Sequence, residues 1–433
     1  MTGKRRALRT GAVAARAIAL TMAAALLATG CAFRTAHAVR EAGALAFIGG
    51  TATAPGGTAG AYVLLYAIGK DGMVLIDGIA ELSDLNPAWS FACKEGDRFV
   101  VGAFKDLNAN GIRDADEPAG YLGADAPLTL SARSQIRGLA IALDRAAETR
   151  PRFPLDTRGE ASGRLATLRF SMGDVVKLDD PRFDPKKASA GMWSPLDALR
   201  SSGAGVFFLQ PFDPKRIPVL FVHGIGGSPK DFSVMIERLD KSRYQPWVFY
   251  YPSGFRLETP STALVNNLPH LREKLGFKTL YVVAHSMGGL VALRAILDLD
   301  ANPRHRDMIG LYVSAAAPYG GHSAVKWGLR LTPDPVPSWL DLEPGSPFLK
   351  SLERPLPARI PFYLLFSFRR GNNLLLPMSS DSVVPVESQL TLWAQRDAVR
   401  MWGFDCEHMG ILTEEAPVAT LLGILNRVTA GQR

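Results

Sequence analysis

The sequence predicts an α/β domain over residues 204–430, preceded by an all-β module over residues 43–145. Three observations carry this. The apolar run Thr279–Val283 leads directly into Ala284-His-Ser-Met-Gly-Gly289 and then a helix-like stretch, Leu290–Leu297. A second buried run, Ile217–Val222, ends in His223-Gly-Ile-Gly-Gly227. Residues 43–145 instead hold short apolar runs separated by turn residues, the pattern of an antiparallel β-sandwich.

Residues 1–30 read as a targeting segment. Lys4, Arg5, Arg6, Arg9 and Arg16 precede an apolar run, Ala17–Ala28, and Leu27-Ala-Thr-Gly-Cys31 resembles a lipobox. That resemblance implies lipidation of Cys31 and a membrane-anchored lipoprotein of a bacterial cell envelope. Ala28 departs from it, since leucine is usual there. The alternatives are ordinary export with cleavage after Ala36-His37-Ala38, and an uncleaved anchor, for which the run is short.

In the β module the runs are Gly43–Ile48, Ala61–Ile68, Met73–Ile76, Arg98–Phe104 and Leu139–Leu143. Between them lies a match to the twelve-residue calcium loop, Asp106–Glu117. Asp106, Asn108, Asn110, Asp114 and Glu117 would offer side-chain oxygens and Ile112 its carbonyl, and Gly111 permits the bend. Calcium wants six to eight oxygens. Pro118 and Gly120 block the helix that would follow in a helix-loop-helix site, so the loop resembles the calcium loops of bacterial β-sandwich modules and predicts a structural Ca2+. A polar hairpin turn on Asn110-Gly111 is the plainer alternative.

Residues 146–203 are rich in Pro and charge and read as a connection, with a short helix from Trp193-Ser-Pro-Leu196. Gly205–Gln210 then opens the α/β sheet. Residues 318–357, rich in Pro, Gly and Trp, suit a cap. Trp327, Leu329, Leu331, Val336, Trp339 and Leu340 could line an acyl pocket there, although each alone reads better as packing. Ala416–Val428 has the spacing of a helix packed on the sheet.

The chemistry is read from the elbow. A serine between small residues, on a sharp strand-to-helix turn, is presented at the sheet's end as a nucleophile. His223–Gly227 supplies backbone that can approach a developing oxyanion, with the N–H groups of Ile225 and Met287 as donors. An acid and then a histidine are required downstream. Asp381 follows the strand Pro361–Phe368, and His408 follows the strand-like Val399–Phe404. Ser286, His408 and Asp381 are thus nucleophile, base and orienting acid. Asp405 and Glu387 compete for the acid's role, and His37, His223, His270, His285, His305 and His322 are weaker bases. In isolation each motif has a commonplace reading as a turn or packing residue; their joint order argues against coincidence.

From about 204 to 430 the chain resembles the α/β-hydrolases of the bacterial lipase and esterase kind, including serine esterases related to GPI-inositol deacylases. Ala284 departs mildly from the glycine usual at that position. The resemblance implies carboxylic ester hydrolysis on lipids or acyl glycerols without a cofactor. Acyl transfer to an alcohol and a non-catalytic binding scaffold are the rival functions.

The formal charge of +8 falls to about +3 without the five basic residues before Cys31. With no basic patch interleaved with aromatics, nucleic acid is not an expected partner. Cys93 and Cys406 fall in different expected domains and read as separate buried thiols.

Overall fold

The computed structural model describes residues 46–431, apart from 70, 83–87, 94–97, 131–134, 145–149, 159–169, 332–334 and 371–378. The targeting segment and Cys31 lie outside the described residues. The described chain forms two compact units: one comprises residues to Met172 together with Leu199–Gly203, and the other Gly173–Ala198 and the chain from Ala204.

The first unit is all β. Its strands are β1 (Ala46–Thr53), β2 (Ala61–Ile68), β3 (Val74–Glu81), β4 (Ala88–Cys93), β5 (Arg98–Lys105), β6 (Ala119–Leu122), β7 (Leu128–Thr129) and β8 (Gln135–Ala142). One sheet has the order β4-β1-β8; the other runs β3-β2-β5-β6, with β7 also on β5. Ile48, Trp89, Phe91 and Ile141 from the first sheet share a core with Val63, Leu65, Phe99 and Val101 from the second. The alternate residues of β2, Leu64 and Tyr66, bury on the opposite face with Phe104, Phe153 and Leu155. Both faces of β2 are therefore covered, which is why it reads as an unbroken apolar run.

The loop Asp106–Glu117 joins β5 to β6. Asp106 accepts from the N–H groups of Asn110 (3.1 Å) and Gly111 (2.7 Å). Glu117 accepts from those of Leu107 (2.5 Å) and Asp114 (2.9 Å). The amides of Asn108 and Asn110 converge on Asp114 Oδ2 at 2.7 and 2.8 Å. Gly111 has φ +80°, a left-handed conformation that favours glycine. Asn108, Asn110 and Asp114 thus meet through their side chains, Asp106 and Glu117 hold the loop's backbone N–H groups, and Ile112 forms a β-bridge to Asp156. The oxygen-rich set fits a hard cation, provided the two asparagine amides turn their oxygens inward. Among the described residues no group of three or more His, Cys, Asp or Glu side chains is arranged as a metal site.

The second unit is built on eight strands: β9 (Phe170–Val175), β10 (Ala204–Phe208), β11 (Ile217–Val222), β12 (Tyr244–Tyr250), β13 (Leu280–His285), β14 (Ile309–Ala315), β15 (Phe362–Phe368) and β16 (Arg400–Asp405). Their order is β16-β15-β14-β13-β11-β12-β10-β9. β11 to β16 pair in parallel and β10 runs antiparallel to β12. Val219, Phe221, Val283, Val313 and Leu365 bury on one face with Met235 and Ile236 of helix Ser233–Arg238 and with Val418, Leu421 and Leu425 of helix Glu415–Thr429. Helices Glu258–Leu275 and Met287–Ala301 also belong to this unit; Tyr312 of β14 reaches the second of them, donating to the Gly289 carbonyl at 2.8 Å.

One difference from the sequence reading concerns residues 146–203. They are more than a connection: β9 begins the sheet, and the helix Pro185–Trp193 precedes the expected one, Pro195–Ser202. The reason is tertiary. Phe183 is fully buried, edge-on to Phe207 and Tyr250 at 5.3 and 5.5 Å, so burial orders a stretch whose composition suggests loop. Asp184 caps the helix by accepting from Lys186 N–H at 2.8 Å, with Pro185 at its first position.

Residues 318–357 hold three short helices, Val325–Leu331, Pro337–Leu342 and Pro347–Ser351. Asp341, buried in the second, forms a bidentate pair with Arg256 (2.9 and 2.6 Å) and accepts from Leu257 N–H at 2.7 Å. Trp339 packs edge-on to Trp193 at 5.7 Å, which makes it a packing residue. The side chains of Trp327 and Leu331 lie outside the described residues.

Candidate active site

Ser286 stands where β13 turns into helix Met287–Ala301, with φ 52° and ψ −132°. A side chain rarely tolerates that backbone, and such strain collects at functional sites. The turn survives because its neighbours are small. A Cβ added at Gly224 would lie 2.8 Å from Ser286 Cβ, and one at Gly288 would lie 2.3 Å from the His223 carbonyl oxygen. Ser286 N–H donates to Ala315 O at 2.9 Å, which fixes the turn to β14. Its side chain makes no capping bond, and among the described residues the hydroxyl has no hydrogen-bond partner.

The close approach of Gly224 to Ser286 places the loop after β11 beside the serine. His223, buried, donates through Nδ1 to Gly224 O (2.9 Å) and accepts at Nε2 from Tyr251 N–H (3.3 Å), while the Tyr251 hydroxyl donates to His223 O (2.8 Å). Gly226 N–H donates to Ser253 Oγ at 2.8 Å. The N–H groups of Ile225 and Met287 are left uncommitted among the described residues. For Met287 the cause is general, because the first N–H groups of a helix have no partner within it.

Asp381 and His408 meet directly. His408 Nδ1 lies 2.7 Å from Asp381 Oδ2, and both side chains are buried. The acid is held by four further donors: Ser367 Oγ (2.7 Å) and Gln389 Nε2 (3.2 Å) on Oδ2, Val383 N–H (3.0 Å) and Val384 N–H (2.6 Å) on Oδ1. Burial pushes the Asp381 carboxyl up, but the bond to and charge of His408, with Ser367 and Val384, outweigh it and hold the carboxyl below the usual range. An ionised Asp381 makes Nδ1 the donor and leaves Nε2 of His408 as the free base. The main chain joins in: His408 N–H donates to Asp381 O at 3.0 Å.

The competing acids are elsewhere. Asp405 is exposed and accepts from Arg370 N–H at 3.1 Å. Glu387 lines a cavity of about 660 Å3 together with Tyr319, Leu349, Leu390 and Trp393. That cavity is bordered neither by Ser286, Asp381 or His408 nor by the six cap residues expected to form an acyl pocket. Cys93 and Cys406 are buried and form no disulfide among the described residues, and burial pushes the Cys406 thiol up to about 12, which disfavours its thiolate.

Three supporting residues gave no sequence signal for the role they take, although His322 is among the weaker candidate bases. Ser367 sits in β15, where its hydroxyl looks like an ordinary strand residue, and Gln389 lies in a one-turn helix, Val386–Gln389. His322 donates through Nε2 to Val383 O at 2.7 Å and accepts at Nδ1 from Ala324 N–H at 3.2 Å. It ties the start of the cap to the acid's loop.

Two buried histidines predict acid sensitivity. Burial, against a weaker opposing bond from Gly224, lowers His223 to about 4. Burial and the charge of His408 lower His285 to about 3. Unfolded histidine titrates near 6.5, so on acidification the unfolded chain gains protons first. The stabilising contribution of both neutral rings is full above about pH 6.5 and is lost toward pH 4 and 3, at about 1.4 kcal/mol per pH unit for each site. Urea midpoints should therefore fall steeply between pH 6.5 and 5. A flat midpoint over that interval would contradict the buried neutral assignment.

Structures similar to the chain include a gene product of Listeria innocua (16% identity, 49% of this chain and 94% of that one, TM-score 0.38). A lipase of Bacillus licheniformis in its propeptide form is similar at 18% identity, 50% of this chain and 53% of that one, TM-score 0.41, so the chain spans about half its length. A thermophilic esterase of Thermogutta terrifontis is similar at 17% identity, 49% of this chain and 90% of that one, TM-score 0.32. No curated protein matches the sequence. Residues 219–421 match the family model described as the alpha/beta hydrolase family, and with β10 antiparallel to β12 beside the parallel strands β11–β16, the second unit has the α/β-hydrolase fold.

Proposed function

We propose that the protein is a serine carboxylic ester hydrolase acting on lipid or other acyl esters. The observation that carries this is the buried Asp381–His408 pair at 2.7 Å, beside a serine held on a strained turn with an unpaired hydroxyl. Ser286 Oγ attacks the ester carbonyl carbon as His408 Nε2 takes its proton. The N–H groups of Ile225 and Met287 hold the oxyanion. The intermediate collapses, His408 protonates the leaving alcohol, and the acyl group stays on Ser286. A water deprotonated by His408 then releases the acid. Every proton is carried by His408, so this chemistry calls for no cofactor.

The test is a panel of p-nitrophenyl esters, triglycerides and phospholipids, with fluorophosphonate labelling mapped by mass spectrometry. Labelling at Ser286 and turnover of one ester class are expected. No labelling, or labelling elsewhere, would sink the reading. Faster release to an added alcohol than to water would assign acyl transfer instead.

The first unit reads as a β-sandwich module, and we propose that its loop Asp106–Glu117 takes a structural Ca2+. Binding to the folded state alone raises stability by mass action. The melting temperature of the intact protein should rise with calcium and not magnesium, and Asp106→Ala should abolish the rise. No shift in wild type would refute it. Among the described residues no helix is long and apolar enough to cross a membrane. A lipid anchor on Cys31 is the attachment we propose, checked by mass spectrometry of the mature N-terminus; a chain starting at Val39 would exclude it.

A further inference from the structure

The residue before the nucleophile does more than fill the elbow. His285 is buried, and its Nε2 lies 3.1 Å from the backbone carbonyl oxygen of His408. A carbonyl only accepts, so Nε2 carries the hydrogen. The two imidazoles also pack against each other, with centroids 4.6 Å apart and planes tilted by 45°. His408 is thereby held on three sides. Its N–H is bound to Asp381 O, its Nδ1 to Asp381 Oδ2, and its carbonyl to His285. The first two fix it to the acid's loop, and only the third fixes it to the strand that carries Ser286.

We propose that His285 is a positioning residue that sets His408 in register with Ser286 through its Nε2–H bond to the His408 carbonyl. This rests on the triad reading above. The loop bearing His408 follows edge strand β16 and leaves the sheet there, so nothing in β16 itself ties the base to the nucleophile's turn. A link from the adjacent residue does so by the shortest covalent path, one peptide unit from Ser286. A hydrogen bond supplies direction as well as distance, and the ring contact limits rotation of the His408 imidazole. Misplacement of a reacting group by about 1 Å can cost roughly 100-fold in rate. The neutral state of His285 matters too. A second cation beside His408 would oppose the imidazolium that forms when Ser286 gives up its proton.

The test compares His285→Gln with His285→Phe. Glutamine can place an N–H where Nε2 stands, whereas phenylalanine keeps the ring contact and loses the donor. Fluorophosphonate labelling rates and ester kinetics are measured on protein checked by circular dichroism and thermal melting. His285→Phe should label Ser286 roughly 10- to 100-fold more slowly, with kcat lowered and KM unchanged. His285→Gln, which keeps a donor to the His408 carbonyl, should stay within about fivefold of wild type, less than the full loss of one neutral hydrogen bond and its positioning. If folded His285→Phe labels as fast as wild type, or if Gln and Phe slow labelling equally, the inference is overturned. If wild type itself fails to label at Ser286, it is the triad reading that falls.

Discussion

Ser286→Ala is expected to abolish ester hydrolysis and fluorophosphonate labelling while the circular dichroism spectrum stays unchanged. Loss of a triad nucleophile can cost roughly 10⁴ to 10⁶ in turnover. The fold should not notice the change, because the hydroxyl makes no hydrogen bond among the described residues and the Cβ that faces Gly224 remains. A sister variant adds a second expectation. At φ 52° and ψ −132° a side chain carries strain on the order of 1–3 kcal/mol, and glycine does not. Ser286→Gly should therefore be as inactive as Ser286→Ala yet unfold at higher urea, by about 1 kcal/mol. Activity retained by Ser286→Ala would make the elbow a structural turn. A Ser286→Gly protein less stable than Ser286→Ala would show that the turn is not strained.

Asp381→Asn should keep the fold and lower turnover by about 10⁴, the cost of losing the orienting carboxylate in such triads. The amide can still accept from Val383 and Val384 through its oxygen. Its NH2 then faces Ser367 Oγ, Gln389 Nε2 and His408 Nδ1, all of which donate to Oδ2 in the native site. The imidazole is left to choose the wrong tautomer, with hydrogen on Nε2, and cannot act as base toward Ser286. Asp405→Asn should be nearly silent, since Asp405 is exposed and bound to Arg370. The reverse ranking of the two variants would reassign the acid.

Much of this was legible in the chain because catalysis constrains local sequence. A nucleophile on a sharp turn needs small neighbours, and Gly288 and Gly289 sit where added side chains would strike His223 O and Ala317. A buried parallel strand needs a continuous apolar run, which is why Ile217–Val222 emerges with the boundaries expected. The triad acid could be placed after β15 and the histidine after β16 by order alone. The loop Asp106–Glu117 was visible for the same reason, as a local pattern with its own spacing.

What only the tertiary structure decided are contacts between residues far apart in sequence. β9 has no periodicity of its own and exists as a strand because β10 offers it an edge. Phe183 orders a Pro- and Asp-rich stretch because Phe207 and Tyr250 surround it. Asp381, not Asp405, is the carboxylate that the fold buries beside an imidazole. Ser367, Gln389 and His285 matter through single hydrogen bonds to groups 14, 8 and 123 residues away. Such bonds leave no spacing to read, since any serine, glutamine or histidine would look the same until the chain brings its partner within hydrogen-bond reach.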